Sequence, residues 1–148
     1  MMAVCKAVDL ARYIVGKYAE EGRPVTNLHL QKMLFFAQAS YCRASKGDLL
    51  FDDEFEAWPY GPVIPSVYDE YSVCGARPIG GRKCENPCGG ESGLVDAILD
   101  ILRDKDAWEL VRRSHMPGTP WANAWKHGDG YRDTIGNAAI RKYAIGSM

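Results

Sequence analysis

Along most of this chain the apolar positions recur with a helical period; only one short stretch alternates as a strand does. Val4, Ala7, Val8, Ala11, Val15 and Tyr18 share one face by i, i+3, i+4 spacing, which predicts a first helix over residues 4–21. Gly22 and Pro24 close it. Thr26 is a favourable N-cap for a second helix over about 27–45, ended by Gly47. The apolar residues of that helix (Leu28, Leu30, Met33, Leu34, Phe35, Phe36, Ala37, Ala39, Tyr41) cover most of its circumference. A helix apolar on all sides is buried among others, so this one is expected at the centre. Leu49–Phe51 and Phe55–Trp58 read as two short strands around the acidic turn Asp52-Asp53-Glu54, a small hairpin near residues 49–58 that must pack on helices to persist.

Further helices are expected over about 63–74, 93–103, 106–115, from Thr119-Pro120 onward, and over 137–144. Asp106 followed by Glu109 resembles a capping box, and Thr119-Pro120 joins an N-cap to a proline in the first helical position. The fourth helix should turn Leu94, Val95, Ile98, Leu99 and Leu102 to one side. Residues 75–92 hold five glycines, two prolines and two cysteines, the composition of a long exposed loop. The expected fold class is mainly α (α+β): a single helical domain of about six to seven helices with one small β-hairpin, over residues 1–148.

The net charge of −1 gives no general pull toward nucleic acid or membrane. Its distribution is uneven. Residues 47–76 carry Asp48, Asp52, Asp53, Glu54, Glu56, Asp69 and Glu70 and no base. Such a run is read either as a solvated rim or as a patch that attracts a basic partner. No run of about 18 apolar residues is present, so no membrane span is expected. Residues 1–9 lack the pattern of a signal peptide, and the five cysteines make an odd count without a framework. Reduced thiols in a cytoplasmic protein are the expectation.

The tract Phe55-Glu56-Ala57-Trp58-Pro59-Tyr60-Gly61-Pro62-Val63-Ile64-Pro65 joins a strand-like run to a rigid corner. Its prolines fix φ and bias the residues before them toward extended geometry, so Trp58 and Tyr60 are held in place. It contains no nucleophile, metal cluster or phosphate loop. Elsewhere, Cys84-x3-Cys88 lacks the further ligands of a closed zinc site, and no spacing pairs His29, His115 or His127 with a cysteine. His115 closes a helix, where a cation would meet the negative end of the dipole. Gly80-Gly81-Arg82-Lys83 lacks the strand–loop–helix setting of a phosphate loop, and Arg82-Lys83 and Arg112-Arg113 are too short for a nucleic-acid stripe. No catalytic residue, cofactor or metal is expected, and no nucleic-acid partner. Trp108 is read as core. Trp58, Trp121 and Trp125 stay open between core and contact surface, since Trp and Tyr are enriched at interface hot spots.

These residues resemble a known family. Thr26-Asn27-Leu28-His29-Leu30-Gln31-Lys32-Met33-Leu34-Phe35-Phe36-Ala37-Gln38 is similar to the T-x-L-K-L-Q-K-L-L-Y-Y-A-Q signature of the Panacea domain, a phage-associated family also called genetic element protein A. Glu56 through Tyr68 resembles its E-A-W-x-x-G-P-V-x-x-x-x-Y signature. Leu110 through Ser114-His115, followed by Gly118-Thr119-Pro120-Trp121, resembles a third, and Ile135, Ile140 and Tyr143 fit the closing pattern. The chain departs in His29, where the family often has Lys, in Pro59, and in its Cys- and Gly-rich loop. The resemblance implies an antitoxin of bacteria and their prophages that neutralises a cognate toxin by direct contact, with no catalytic residues. The alternative it implies is an adaptor that hands a partner to an AAA+ protease. From other classes, a DNA-binding regulator and a metal-dependent enzyme built on the cysteine loop and His115 are the rivals. The candidate partner-binding residues are Trp58, Tyr60, Asp52, Asp53, Glu54, His115 and Trp121.

Overall fold

The computed structural model describes residues 3–146. Among them run seven helices and three short strands: α1 (Ala7–Glu20), α2 (Asn27–Ala44), β1 (Phe55–Trp58), β2 (Gly61–Val63), α3 (Pro65–Tyr71), α4 (Ser92–Arg103), α5 (Ala107–Ser114), α6 (Pro120–Trp125), β3 (Thr134–Ile135) and α7 (Asn137–Gly146). The fold is mainly α with one small antiparallel sheet. None of these helices is long and apolar enough to cross a membrane.

α2 is the central helix, as its all-round apolar sequence predicts. It touches α1, α3, α4, α5, α7 and β2. Thr26 caps it, its hydroxyl accepting from the His29 N–H at 3.1 Å. Leu30, Met33, Leu34, Phe35 and Ala37 are fully buried, with Phe35 edge-on to Phe36 and Phe55. α1 begins three residues later than its apolar period suggests. The Val4 and Cys5 N–H groups both donate to the Leu50 carbonyl, which holds them outside the helix. Lys6, the residue before α1, offers no side-chain cap. Asp53 supplies it from a distance, its Oδ1 accepting from the Ala7 N–H at 3.1 Å.

The hairpin is not where the sequence places it. Leu49–Phe51 is not a strand. A buried amide of α2 takes its backbone groups instead: Gln38 Nε2 donates to the Phe51 carbonyl at 2.7 Å, and Gln38 Oε1 accepts from the Leu50 N–H at 2.7 Å. The true hairpin joins β1 to β2 through Pro59-Tyr60, with Trp58 opposite Gly61, Ala57 opposite Pro62 and Glu56 opposite Val63. β3 pairs on the other edge of β1, placing Ile135 opposite Phe55, and the sheet order is β2-β1-β3. Pro62 is tolerated because β2 is an edge strand that needs no N–H there.

Other expectations change as well. The α3 region stops at Tyr71 and passes into a 3-10 turn over residues 72–74. Trp108 is not core but half exposed, and Leu94 on α4 faces outward. Asp106 occupies the N-cap of α5 but its side chain makes no capping bond, and Glu109 pairs with Arg113 at 2.7 Å instead of reaching back. Residues 75–91 lack regular structure except a 3-10 turn at Gly89–Glu91, yet they do not hang free. Ile79 and Cys88 are buried, and the Ile79 N–H donates to the Val25 carbonyl at 2.8 Å. The Lys83 N–H donates to the Glu20 carboxylate. Gly16 of α1 lies so close that a Cβ there would come within 2.0 Å of the Arg82 carbonyl oxygen. The segment is a strap laid over α1.

Candidate functional site

A cleft of about 750 Å³ opens between the first half of α2, the β1–β2 hairpin, α3 and the start of α5. α2 contributes Asn27, Leu28, Gln31 and Lys32; the hairpin contributes Trp58, Pro59, Tyr60 and Val63; α3 contributes Tyr68. Asp106, Ala107 and Trp108 close one wall, and Tyr131 another.

The walls are aromatic and firmly set. The two-residue turn carries Tyr60 at its tip, 59% exposed, with its ring edge-on to half-exposed Trp108 at 5.5 Å. Trp58 is clamped on several sides. Its Nε1 donates to Glu56 Oε1 at 3.0 Å, and Arg132 donates to the same oxygen at 2.9 Å while lying 5.0 Å over the indole. Tyr68 packs 4.9 Å away. Beneath the hairpin, Trp121 is buried and donates through Nε1 to the Trp58 carbonyl at 2.7 Å. His115 stacks on Trp121 at 3.8 Å, and Trp125 stacks on Trp121 at 5.3 Å. α6 presents this column because Thr119 caps it, its hydroxyl accepting from the Ala122 N–H at 3.2 Å.

The floor is polar, which the sequence reading missed. Lys32 is fully buried, and its Nζ donates to the Pro62 carbonyl at 2.7 Å. Burial pushes its amine down to about 7, because no carboxylate offsets the lost hydration. Gln31 Oε1 accepts from the Ile64 N–H at 2.9 Å, and Asn27 Nδ2 donates to the Tyr68 carbonyl at 3.2 Å. One face of α2 thus grips the hairpin and α3 through side-chain contacts to backbone. The signal was present: polar residues on a helix with no solvent face must point inward. Gly61 makes room for this arrangement. Its φ is +117°, and a Cβ there would lie 2.7 Å from both Lys32 Cε and Ser114 Oγ.

His115 does not act as a cation at a helix end. Burial and the nearby Lys32 both lower its basicity, and its Nε2 is buried without a hydrogen-bond partner. It is a neutral ring in an aromatic stack.

Residues 30–122 match the family described as Antitoxin SocA-like, Panacea domain. The chain belongs to this family. It is also 32% identical over 127 residues to Antitoxin SocA of Caulobacter vibrioides (strain NA1000 / CB15N), a match covering 76% of this chain and 66% of that protein. The chain therefore matches a little under two thirds of that relative's length. No solved structure matches it.

The Panacea match takes in most of the cleft: Gln31 and Lys32 of α2, the whole hairpin, Tyr68, and Asp106 to Trp108. Asn27, Leu28 and Tyr131 lie just outside it. Of the residues singled out in the sequence, Trp58 and Tyr60 line the cleft, and His115 and Trp121 support it from below. Asp52, Asp53 and Glu54 do not line it; they precede β1, at the strand end away from the hairpin tip. There Glu54 Oε2 accepts from the Asn137 N–H, and the Asp52 carbonyl accepts from Asn137 Nδ2, both at 3.0 Å. The acidic run of this Panacea chain is also partly answered by bases from outside it. Glu56 pairs with Arg132 at 2.9 Å and Glu70 with Arg12 at 2.7 Å. Among the described residues no group of three or more His, Cys, Asp or Glu side chains is placed to hold a metal ion. The cleft offers aromatic faces and amides to a ligand, with Asp106 as its one carboxylate.

Proposed function

We propose that this chain is a non-enzymatic antitoxin, a single Panacea domain over residues 1–148, that binds a cognate toxin protein in the bacterial cytoplasm through the aromatic rim of the cleft. Its setting is a bacterial or prophage toxin–antitoxin system. Membership of the Antitoxin SocA-like family and the likeness to Antitoxin SocA support the role. The observation that carries the location is the group of outward aromatics at one mouth: Tyr60 of the hairpin, Trp108 of α5 and Tyr131 before β3 are each half exposed or more, and Trp58 lines the same cleft. Large aromatics left in water on a fixed scaffold are the usual anchors of protein interfaces. Tyr60 and Trp58 are then contact residues. His115 and Trp121 act through the Trp58 carbonyl, by holding the hairpin in position. Asp52, Asp53 and Glu54 form a peripheral rim that adds to encounter rate more than to affinity.

The test is co-expression with the neighbouring gene product. Wild type should rescue growth and co-purify with it. Tyr60→Ala with Trp108→Ala should speed dissociation by roughly tenfold or more while leaving the fold intact by circular dichroism, since hot-spot truncations cost about 2 kcal/mol or more. Unchanged rescue and dissociation by the double variant would overturn this site. Rescue that vanishes in cells lacking an AAA+ protease, with binding intact, would favour the adaptor role over direct neutralisation.

A further inference from the structure

Two cysteines that the cleft does not use lie side by side. Cys5 sits in the segment before α1, its N–H donating to the Leu50 carbonyl at 3.0 Å and its side chain half-buried. Cys88 sits near the end of the strap, buried, with its N–H donating to Asn86 Oδ1 at 2.9 Å. Their Sγ atoms are 3.8 Å apart, although 83 residues separate them in the chain. Each backbone is tethered on its own side, so the pairing is a product of the fold. Cys84, four residues before Cys88, is exposed instead.

We propose that Cys5 and Cys88 form a redox-active dithiol, which a low-molecular-weight disulfide converts to an intramolecular bridge fastening the strap to the segment before α1. The half-buried Cys5 sulfur is the one a reagent reaches first. As thiolate it attacks R–S–S–R, releasing one R–S⁻ and leaving a Cys5–S–S–R mixed disulfide. The Cys88 thiolate then attacks the Cys5 sulfur and displaces the second R–S⁻. The two protons lost by the protein thiols end on the two released thiolates. In net terms two protein thiols are oxidised to one disulfide and one small disulfide is reduced to two thiols. The Cys88 S–H donates to the Cys5 sulfur, so the sulfur of the second attack already faces the one that the reagent modifies. The sulfurs must close by a little under 2 Å to reach bonding distance of about 2.05 Å. Cys5 lies outside any helix, so its side chain can turn toward Cys88 without disturbing a helix at that end.

The experiment treats the full-length protein with graded oxidised glutathione, alkylates the remaining thiols in denaturant, and maps peptides without reduction. The expected product has lost two hydrogens by intact mass. It yields one linked peptide pair containing Cys5 and Cys88, and dithiothreitol reverses it. Closing so long a loop should raise the melting midpoint by about 5 °C or more. Cys84→Ser should leave the bridge in place, and Cys5→Ser should abolish it without new linkage. The proposal is overturned if Cys5 and Cys88 are both still alkylated when Cys84 is fully glutathionylated. Linkage of Cys88 to Cys84 rather than Cys5 overturns it equally. Both readouts are taken on the wild-type protein, so they stand even where a Cys88 variant fails to fold.

Discussion

Lys32 should make the stability of this protein rise with pH through the alkaline side of neutrality. Its amine is fully buried, with a pKa lowered from 10.5 to about 7. Between these values the unfolded chain holds a proton that the folded chain has given up, so the unfolded state binds more protons and raising the pH favours folding. The penalty is full below pH 7, where the folded protein must accommodate either a buried cation or its deprotonation, and it fades toward pH 10.5. At pH 7 the shift corresponds to about 4 kcal/mol, and about 2 kcal/mol of it is relieved by pH 9. Lys32→Met removes the titration but leaves the Pro62 carbonyl without its donor, a loss of about 1–3 kcal/mol. The variant should therefore exceed wild type at pH 7 by about 1–3 kcal/mol, and that lead should shrink by about 2 kcal/mol by pH 9. Urea denaturation of both proteins at pH 7, 8 and 9, under reducing conditions, measures the difference. His115 is the nearby group that the substitution would also retune, and this window lies above its range. A lead constant to within about 0.5 kcal/mol across the window would refute the reasoning. Lys32 would then be solvated or ion-paired in solution.

Gly61→Ala should lose about 2–4 kcal/mol in the same assay, from its positive φ and the overlap with Lys32 and Ser114, whereas Gly80→Ala should stay within about 0.5 kcal/mol. Gly80 has open space where its Cβ would go. Equal losses at the two positions would contradict the packing argument. Asp53→Ala and Glu54→Ala should each lose about 0.5–1.5 kcal/mol by removing the caps of α1 and α7, while Asp53→Asn and Glu54→Gln, which keep an acceptor oxygen, should lose less. Alanine variants that melt like wild type would show that these carboxylates serve only as surface charge.

Helices were legible where period and cap agree. Thr26 and Thr119 both make the bonds their positions predict. The hairpin was misplaced because Leu49–Phe51 is apolar enough for a strand, and nothing local reveals that Gln38, on another element, takes its backbone bonds. β3 is two residues long and leaves no period to read. The rigid setting of Trp58 and Tyr60 was readable from the prolines around them. Exposure of Trp108 was not, since a tryptophan at helical spacing is usually packed inside. The acidic turn was read as free charge because its partners, Ala7 and Asn137, lie 46 and 83 residues away from Asp53 and Glu54.

Those two distances bear on how the chain assembles. α1 emerges from the ribosome before the group that caps its first turn, which is made 46 residues later. A 14-residue helix without its cap is marginal alone in water. α1 must therefore wait for the turn after α2 before it has a fixed beginning, and α7 starts on that same turn 83 residues after it. The starts of α1 and α7 are thus timed from one short acidic stretch between them. The non-local closure this requires slows folding relative to a helical bundle with locally capped helices. A nascent chain halted before residue 53 has helical sequence but no anchor for it.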